Sequence, residues 1–329
     1  MPNLDEQHLF PDPLLSPWTK TILESFGLGR WVLRVGRSAK RFLRNIRNPV
    51  YRKLWKGYFV FPVRNVILQN EPVTIRFGEI SLQMVPAGAV ACQAWSGLRC
   101  EHQEVAFILS MLESGMIFFD VGANAGLFAI SAAQKIGGNR VFAFEPCAST
   151  RDILERNLRL NRIAGVRVAP HALWDSVGEA VLQVNSRGKD GLNTLGQASH
   201  PDSEVVAQEK VSVTTLDVFI SQQGISRVDV IKADIEGAEL MLFRGAKDLL
   251  GRDDAPLILY EGFGFLTRGF GYHPVEILWL LESCGYELFT LNNDTGAISE
   301  LKPDYQYDSM VIAAKPGHPS YAKVRARVQ

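Results

Sequence analysis

The sequence predicts an α/β fold, a doubly wound and mostly parallel sheet with an antiparallel strand at its edge. Three observations carry this. Short apolar runs without helical spacing (117–119, 141–144, 228–234 and 257–260) alternate with helical segments, the order of a parallel sheet covered on both faces. These runs end in an acid, at Asp120, Glu145, Asp234 and Glu261, and in an open α/β sheet such strand ends line one crevice. The last strands follow a turn and no helix, so one of them runs antiparallel.

Taken in order, residues 1–20 hold Pro2, Pro11, Pro13 and Pro17 and read as an irregular arm. A helix is expected over 25–48, stopping before Pro49. Arg30, Arg34, Arg37, Arg41 and Arg44 recur at steps of three or four along it, which sets them on one face. Between Glu24 and Glu71 there are eleven basic residues and no acid, although the whole chain has 35 of each sign. The remainder is therefore acidic. Such a segment (25–60) fits either contact with an anionic membrane surface or a solvated face packed on the acidic remainder.

Residues 73–85 alternate around Gly78-Glu79, as a β-hairpin does. A loop, 86–100, precedes a helix over 101–113 that carries Val105, Ile108, Leu109 and Leu112. After the strand that ends at Asp120, Gly122-Ala-Asn124-Ala-Gly126 forms a tight turn into a helix over 127–136. Strand 141–144 ends at Glu145-Pro146, Ser149 is expected to cap the next helix, and 166–173 reads as a third strand closed by Asp175. Residues 178–215 break the alternation and are expected to form an inserted hairpin with a long loop, a lid. Then follow strand 228–234, helix 238–250, strand 257–260, a helix opened by His273-Pro274 and ended near Gly285, strand 286–291, a turn over 292–296 and a last strand 310–314. The domain limits are thus 1–70 for the extension, 71–315 for the main domain and 316–329 for a basic tail expected to fray.

The spacing at the turn discriminates between nucleotide ligands. A dinucleotide site would show Gly-x-Gly-x-x-Gly, with a pyrophosphate on the helix N-terminus. Here Asn124 replaces the middle glycine and Asp120 stands just before the turn. A carboxylate there repels a pyrophosphate and suits a cationic ligand, which favours S-adenosylmethionine with its ammonium and sulfonium. Glu145 lies 19 residues beyond Gly126, where an acid can accept both ribose hydroxyls. Asp175 can accept the adenine amino group or simply occupy a turn before Gly178.

The segments Asp120-Val-Gly-Ala-Asn124-Ala-Gly126, Phe144-Glu145-Pro146, Thr215-Leu216-Asp217 and Ile231-Lys232-Ala-Asp234-Ile-Glu236-Gly237-Ala-Glu239 resemble the FkbM-type S-adenosylmethionine-dependent methyltransferases. The resemblance spans about 71–315 and leaves out residues 1–70. It implies a class I methyltransferase (Rossmann-like) fold and O-methylation of a hydroxyl on a sugar, glycan precursor or natural-product scaffold. It also implies cofactor contacts at Asp120, Gly122, Asn124, Gly126 and Glu145, with Asp234 facing the transferred methyl.

An alcohol is a poor nucleophile, so a general base is expected within reach: Asp234 first, then His273, with Glu236 and Glu239 in the same acidic patch. Each has a plain structural reading too. Acids in a first helical turn complement its dipole, and a histidine before Pro274 can start a helix. No dedicated metal-ligand set is visible, so no obligatory ion is expected.

The other function classes are a silent binding module on this fold, a nicotinamide oxidoreductase and a nucleic-acid methyltransferase. The missing glycine disfavours the oxidoreductase. An acidic catalytic portion and the absence of an Asn/Asp-Pro-Pro-Tyr/Phe motif disfavour nucleic acid. No apolar run reaches the roughly 18 residues of a membrane span, the first residues lack signal-peptide order, and the four cysteines show no C-x-x-C spacing; a cytoplasmic placement is expected.

Overall fold

Val73–Phe77 (β1) and Ile80–Met84 (β2) pair antiparallel around Gly78 and Glu79, as their alternation requires. The computed structural model describes residues 72–84, 101–186, 189–301 and 308–329. The chain divides into two units, and every element described here lies in the one made of Val73–Met84 and Arg99–Gln329. The N-terminal arm, the basic run after Glu24 and the loop 86–100 lie outside the described residues.

The first helix, α1 (His102–Met111), leads into β3 (Phe118–Val121), whose four residues are all buried. There follow α2 (Leu127–Ile136), β4 (Val141–Phe144), α3 (Ala148–Leu160) and two short strands, β5 (Arg167–Ala169) and β6 (His171–Leu173). The single strand expected over 166–173 is broken because Pro170 has no N–H for a ladder. β5 stays in the main sheet while β6 enters a second one. Ser149 does not cap α3; Cys147 holds the N-cap position, without a side-chain cap bond.

The insertion forms β7 (Gly178–Asn185) and β8 (Val205–Thr214), antiparallel to each other, and with β6 they make a three-stranded sheet in the order β6-β8-β7. Leu182 and Val211 pack on buried Cys147, which seats this hairpin beside the end of β4. Next comes a helix the sequence reading passed over, α4 (Leu216–Gln223). Its signals were local: the Thr215 hydroxyl accepts from the Val218 N–H (3.1 Å), and Gly224 ends it in a left-handed conformation.

After β9 (Val230–Ala233) the helix expected over 238–250 is two pieces, α5 (Glu239–Arg244) and α6 (Lys247–Leu250), divided at Gly245. Asp217 accepts from the Asp248 and Leu249 N–H groups (2.9 and 3.0 Å) and so caps α6. The chain then runs through β10 (Leu257–Phe263), the unforeseen short α7 (Gly264–Thr267), α8 (Val275–Ser283), β11 (Glu287–Leu291), β12 (Ile298–Glu300) and β13 (Asp308–Ala314).

The main sheet has the order β12-β11-β13-β10-β9-β3-β4-β5. Of the two final strands expected, β13 is the antiparallel one, but it is inserted between β10 and β11 and not at the edge; the edge is taken by β12, a short strand not expected from the sequence, antiparallel to β11. Neighbouring residues face opposite ways: Phe118, Val230 and Leu259 join one core, and Phe119, Ile231 and Tyr260 the other. The sheet is therefore covered on both faces.

The tail does not fray. α9 (Tyr321–Arg325) buries Val324 fully, the Ser320 hydroxyl donates to the Met111 carbonyl (3.2 Å), and the Gln329 N–H donates to the Ile298 carbonyl (3.0 Å).

Two asparagines one turn apart, Asn157 on α3 and Asn161 at its C-cap, dock the β2 edge. Asn157, fully buried, accepts from the Gln83 N–H (2.7 Å) and donates to the Gln83 and Ala125 carbonyls (3.0 and 2.8 Å). Asn161 exchanges a similar pair with Ser81 (2.8 and 2.6 Å). Through Ala125, Asn157 also steadies the glycine turn. Asn157→Ala is expected to lower unfolding free energy by about 2–4 kcal/mol, since three backbone groups, the Ala125 carbonyl buried and the two of Gln83 partly so, lose their mate. Urea denaturation checks this; a loss under about 1 kcal/mol would show that water replaces the amide.

Candidate functional site

The ends of β3, β4 and β9 meet at one edge of the sheet. The Gly122 and Ala123 N–H groups donate to the Phe144 carbonyl (3.1 and 3.0 Å), and the Asp234 N–H donates to the Val121 carbonyl (3.1 Å). The turn between β3 and α2 bends through left-handed backbone at Gly122 (φ 76°), Asn124 (φ 47°) and Gly126 (φ 95°). Glycine is required at 122 on a second count: a Cβ there would overlap the Asp234 carbonyl oxygen.

Asp120, at 0% exposure, accepts from the Ala129 N–H (2.8 Å), one of the donors that a helix N-terminus leaves unpaired. Its other oxygen, Oδ1, has no hydrogen-bond donor among the described residues and lies 3.8 Å from Lys232 Nζ. Glu145 is turned back onto the turn: its two oxygens accept the Asn124 and Cys147 N–H groups, each at 3.0 Å. Burial pushes Glu145 up to about 7 and Asp120 to about 6, with the hydrogen bonds and Lys232 pulling the other way.

Lys232 is the centre of the electrostatics. Only 3% exposed, its ammonium donates to the Gly122 carbonyl (3.2 Å), pairs with Asp234 Oδ2 (3.3 Å) and stands 4.9 Å over the Phe128 ring. Burial works against its charge, but Asp234, Asp120 and Glu101 outweigh that and hold its pKa above the ordinary lysine value.

Around it the acids crowd. Carboxylate oxygens of Asp234, Glu236 and Glu261 lie within 4.8 Å of one another, a trio that could also take a hard divalent cation. Burial first, and then the charge of Asp234, hold Glu236 and Glu261 well above the usual carboxylate range. Burial likewise raises Glu239 and Glu101, each to about 7. Glu239 accepts from the Ile235 N–H (3.0 Å), so its position is also structural.

The insertion reaches this edge. Gly191 lies close against the Asn124 side-chain amide, the Thr194 hydroxyl donates to the Glu236 carbonyl (3.2 Å), and the Gln197 N–H donates to the Gly269 carbonyl (3.0 Å). Residues 190–197 thus run as a strap from the glycine turn past the acids to the loop after β10. Glu236 is itself left-handed (φ 55°), and the Tyr272 hydroxyl pins the next carbonyl, at Gly237 (2.7 Å).

Asp120, Gly122, Asn124, Gly126, Glu145, Asp234 and Glu236 are therefore brought together, and two candidates are not. Asp175 sits on an exposed turn after β6, where it accepts from the Ser176 hydroxyl (3.1 Å), and none of the contacts that join the site involves it. His273 is exposed at the start of α8, where its Nδ1 accepts from the Val275 N–H (3.3 Å), the helix-start role. Lys232 was the omission. Its signal was present: a lone cation in an apolar run read as buried on both faces must have an ionic partner.

A family model described as the methyltransferase FkbM domain matches residues 120–288, just over half of the chain. Methyltransferase sdnD of Sordaria araneosa is 29% identical over 165 residues, covering 43% of this chain and 64% of that protein. The 31-O-demethyl-FK506 methyltransferase FkbM of Streptomyces tacrolimicus is 30% identical over 161 residues (42% and 62%). Hexuronic acid methyltransferase AglP of Haloferax volcanii is 27% identical over 157 residues (46% and 59%). The matched region thus spans about three fifths of the length of these relatives. The turn, Glu145 and the block from Lys232 to Glu239 all fall inside the matched stretch, and the chain belongs to the FkbM methyltransferase domain family.

Proposed function

We propose that this protein transfers a methyl group from S-adenosylmethionine to a hydroxyl of a small molecule or glycan precursor. The observation that carries this is the charge of the crevice. A turn with no Cβ at Gly122 opens beside one buried ammonium, Lys232, which Asp234 and Asp120 outnumber at 3.3 and 3.8 Å, with further carboxyl groups (Glu101, Glu236, Glu239 and Glu261) partly or wholly buried around them. Such a site attracts a cationic nucleoside and repels a pyrophosphate. The relatives' names, which include a demethyl-FK506 methyltransferase and a hexuronic acid methyltransferase, agree with a hydroxyl-bearing acceptor.

Each Glu145 oxygen accepts one backbone N–H and keeps lone pairs for the two ribose hydroxyls. Asp120 and the turn would hold the amino-acid end. When bound, the cofactor supplies an electrophilic methyl on a sulfonium. Asp234 then accepts the acceptor's hydroxyl proton, being the acid that carries the Lys232 ion pair. Burial and the charge of Asp234 raise both Glu236 and Glu261, Glu236 to about 9, so Glu236 can donate a hydrogen bond near neutral pH. The strap from residue 190 to 197 shields the reacting groups from water, which suits a displacement governed by alignment. Among the described residues no helix is long and apolar enough to cross a membrane.

Calorimetric titration with S-adenosylhomocysteine, with NAD as the control, tests the reading. Wild type is expected to bind the first ligand alone. Glu145→Ala removes two hydrogen bonds to a charged acceptor, each worth about 1.5–3 kcal/mol, so affinity should fall at least about a hundredfold. Binding of NAD, or silence towards both ligands, would overturn it.

A further inference from the structure

Beside the acids, and outside the cofactor crevice, lies a cavity of about 560 Å³ lined by Trp174, Gln183, Leu195, Gln197 and Phe270 together with Gly196, Ala198 and Gly269. We propose that it is the acceptor subsite and that it takes an uncharged polyhydroxylated ring, a neutral sugar unit. This rests on the methyltransferase reading above.

The lining chemistry points to that class. No ionisable side chain borders the cavity, so a charged group bound there would lose its hydration without gaining a partner. The Trp174 and Phe270 rings, with centroids 6.0 Å apart and planes at 45°, open a wedge with aromatic faces. Such faces cover the apolar C–H side of a pyranose while its hydroxyls point to the rim. At the rim stand two amides. Both offer amide donors and Gln197 an acceptor as well, which is what a ring of hydroxyls requires. Gln183 spends its carbonyl oxygen on Gln208 Nε2 (3.2 Å), which directs its own N–H groups to other acceptors. The volume lies within the roughly 300–1,000 Å³ range of small-molecule sites.

Position supports the same occupant. One wall is the strap, clasped by the bond from the Gln197 N–H to the Gly269 carbonyl (3.0 Å). The Phe270 ring is shared between the cavity and the acid turn: a Cβ on Gly196 would stand 2.7 Å from it, and one on Gly237 3.0 Å. Gly237 follows Glu236, a member of the acid trio, so a ring held against Phe270 lies next to the groups that would receive its hydroxyl proton. Asp120, Gly122, Asn124, Gly126 and Glu145 are all missing from the lining, which separates the cavity from the nucleoside contacts.

The test uses full-length protein with S-adenosylhomocysteine and three probes: methyl α-D-mannopyranoside, methyl β-D-glucopyranoside and methyl β-D-glucuronide. Saturation-transfer NMR reads which ring protons touch the protein, and calorimetry reads cofactor affinity in parallel. Transfer is expected to at least one neutral glycoside and to be weaker for the glucuronide. Trp174→Ala should abolish it and Trp174→Phe, which keeps an aromatic face, should restore it, with S-adenosylhomocysteine affinity within about twofold of wild type in both. A fall of about tenfold or more in cofactor affinity in Trp174→Ala would make the cavity the nucleoside's and overturn the proposal. So would wild type that binds S-adenosylhomocysteine yet gives no transfer to either neutral probe, or gives more to the glucuronide. Wild type that does not bind S-adenosylhomocysteine overturns the methyltransferase reading itself, and this proposal with it.

Discussion

Lys232→Met is expected to destabilise the protein by about 3–5 kcal/mol at pH 8, the range for removing one partner of a buried ion pair. The methionine fills the same channel through β9, so the loss is electrostatic and leaves no large cavity. Asp120, with no exposure, loses its counter-charge at 3.8 Å; Asp234 loses its partner at 3.3 Å; the Gly122 carbonyl loses its donor. The effect depends on pH, and its sign follows from Asp120. Burial lifts that carboxyl from 3.8 to about 6 even with Lys232 pulling it down. The folded state therefore holds the Asp120 proton more tightly than the unfolded chain does, and the group costs stability as pH rises between roughly 4 and 6. Without Lys232 that window moves upward, so the Asp120 part of the deficit is nearly absent near pH 5, where the carboxyl keeps its proton, and full at pH 8, while the loss at Asp234 and Gly122 is common to both. Urea unfolding at the two values decides the matter. An equal deficit at both would show that Asp120 is not the group whose charge Lys232 answers.

Gly122→Ala is expected to cost about 2–5 kcal/mol and to abolish S-adenosylhomocysteine binding. Two penalties add: a left-handed backbone, about 1–2 kcal/mol for a residue with a Cβ, and overpacking, about 1–3 kcal/mol. The overpacking arises because the added carbon would overlap the Asp234 carbonyl, so β3 and β9 must part where the cofactor's amino-acid end is proposed to lie. Gly224→Ala is the control. Gly224 is also left-handed (φ 62°), but a Cβ there meets nothing within 4 Å. It should show only the conformational part, with ligand affinity unchanged. Calorimetry and urea denaturation on both variants separate the two penalties; equal behaviour would remove the close approach from the account.

Much of the site was legible because its signals are local. The glycine turn, the acid that ends β3 and the acid that ends β4 follow from strand length, spacing and backbone freedom within a few residues. The breaks were local too, in Pro170 and Gly245, yet the apolar pattern ran on across them and hid them. Asp175 and His273 show the limit of a residue's type as evidence: an acid past a strand and a histidine before a proline each have a nearby backbone or hydroxyl partner, and those nearer contacts prevailed.

Sequence alone determined the alternation of strands and helices, the glycine turn with its carboxylates and the antiparallel ending. These depend on periodicity and turn chemistry, which act over short stretches. Only the tertiary structure decided that β13 enters between β10 and β11, that the strap crosses from Asn124 to Gly269, that the tail docks on the core, and that Lys232 answers acids at the head of α1, in β3 and just past β9. Pairing register and electrostatic environment are sums over groups far apart in the chain, and no short window of residues contains them.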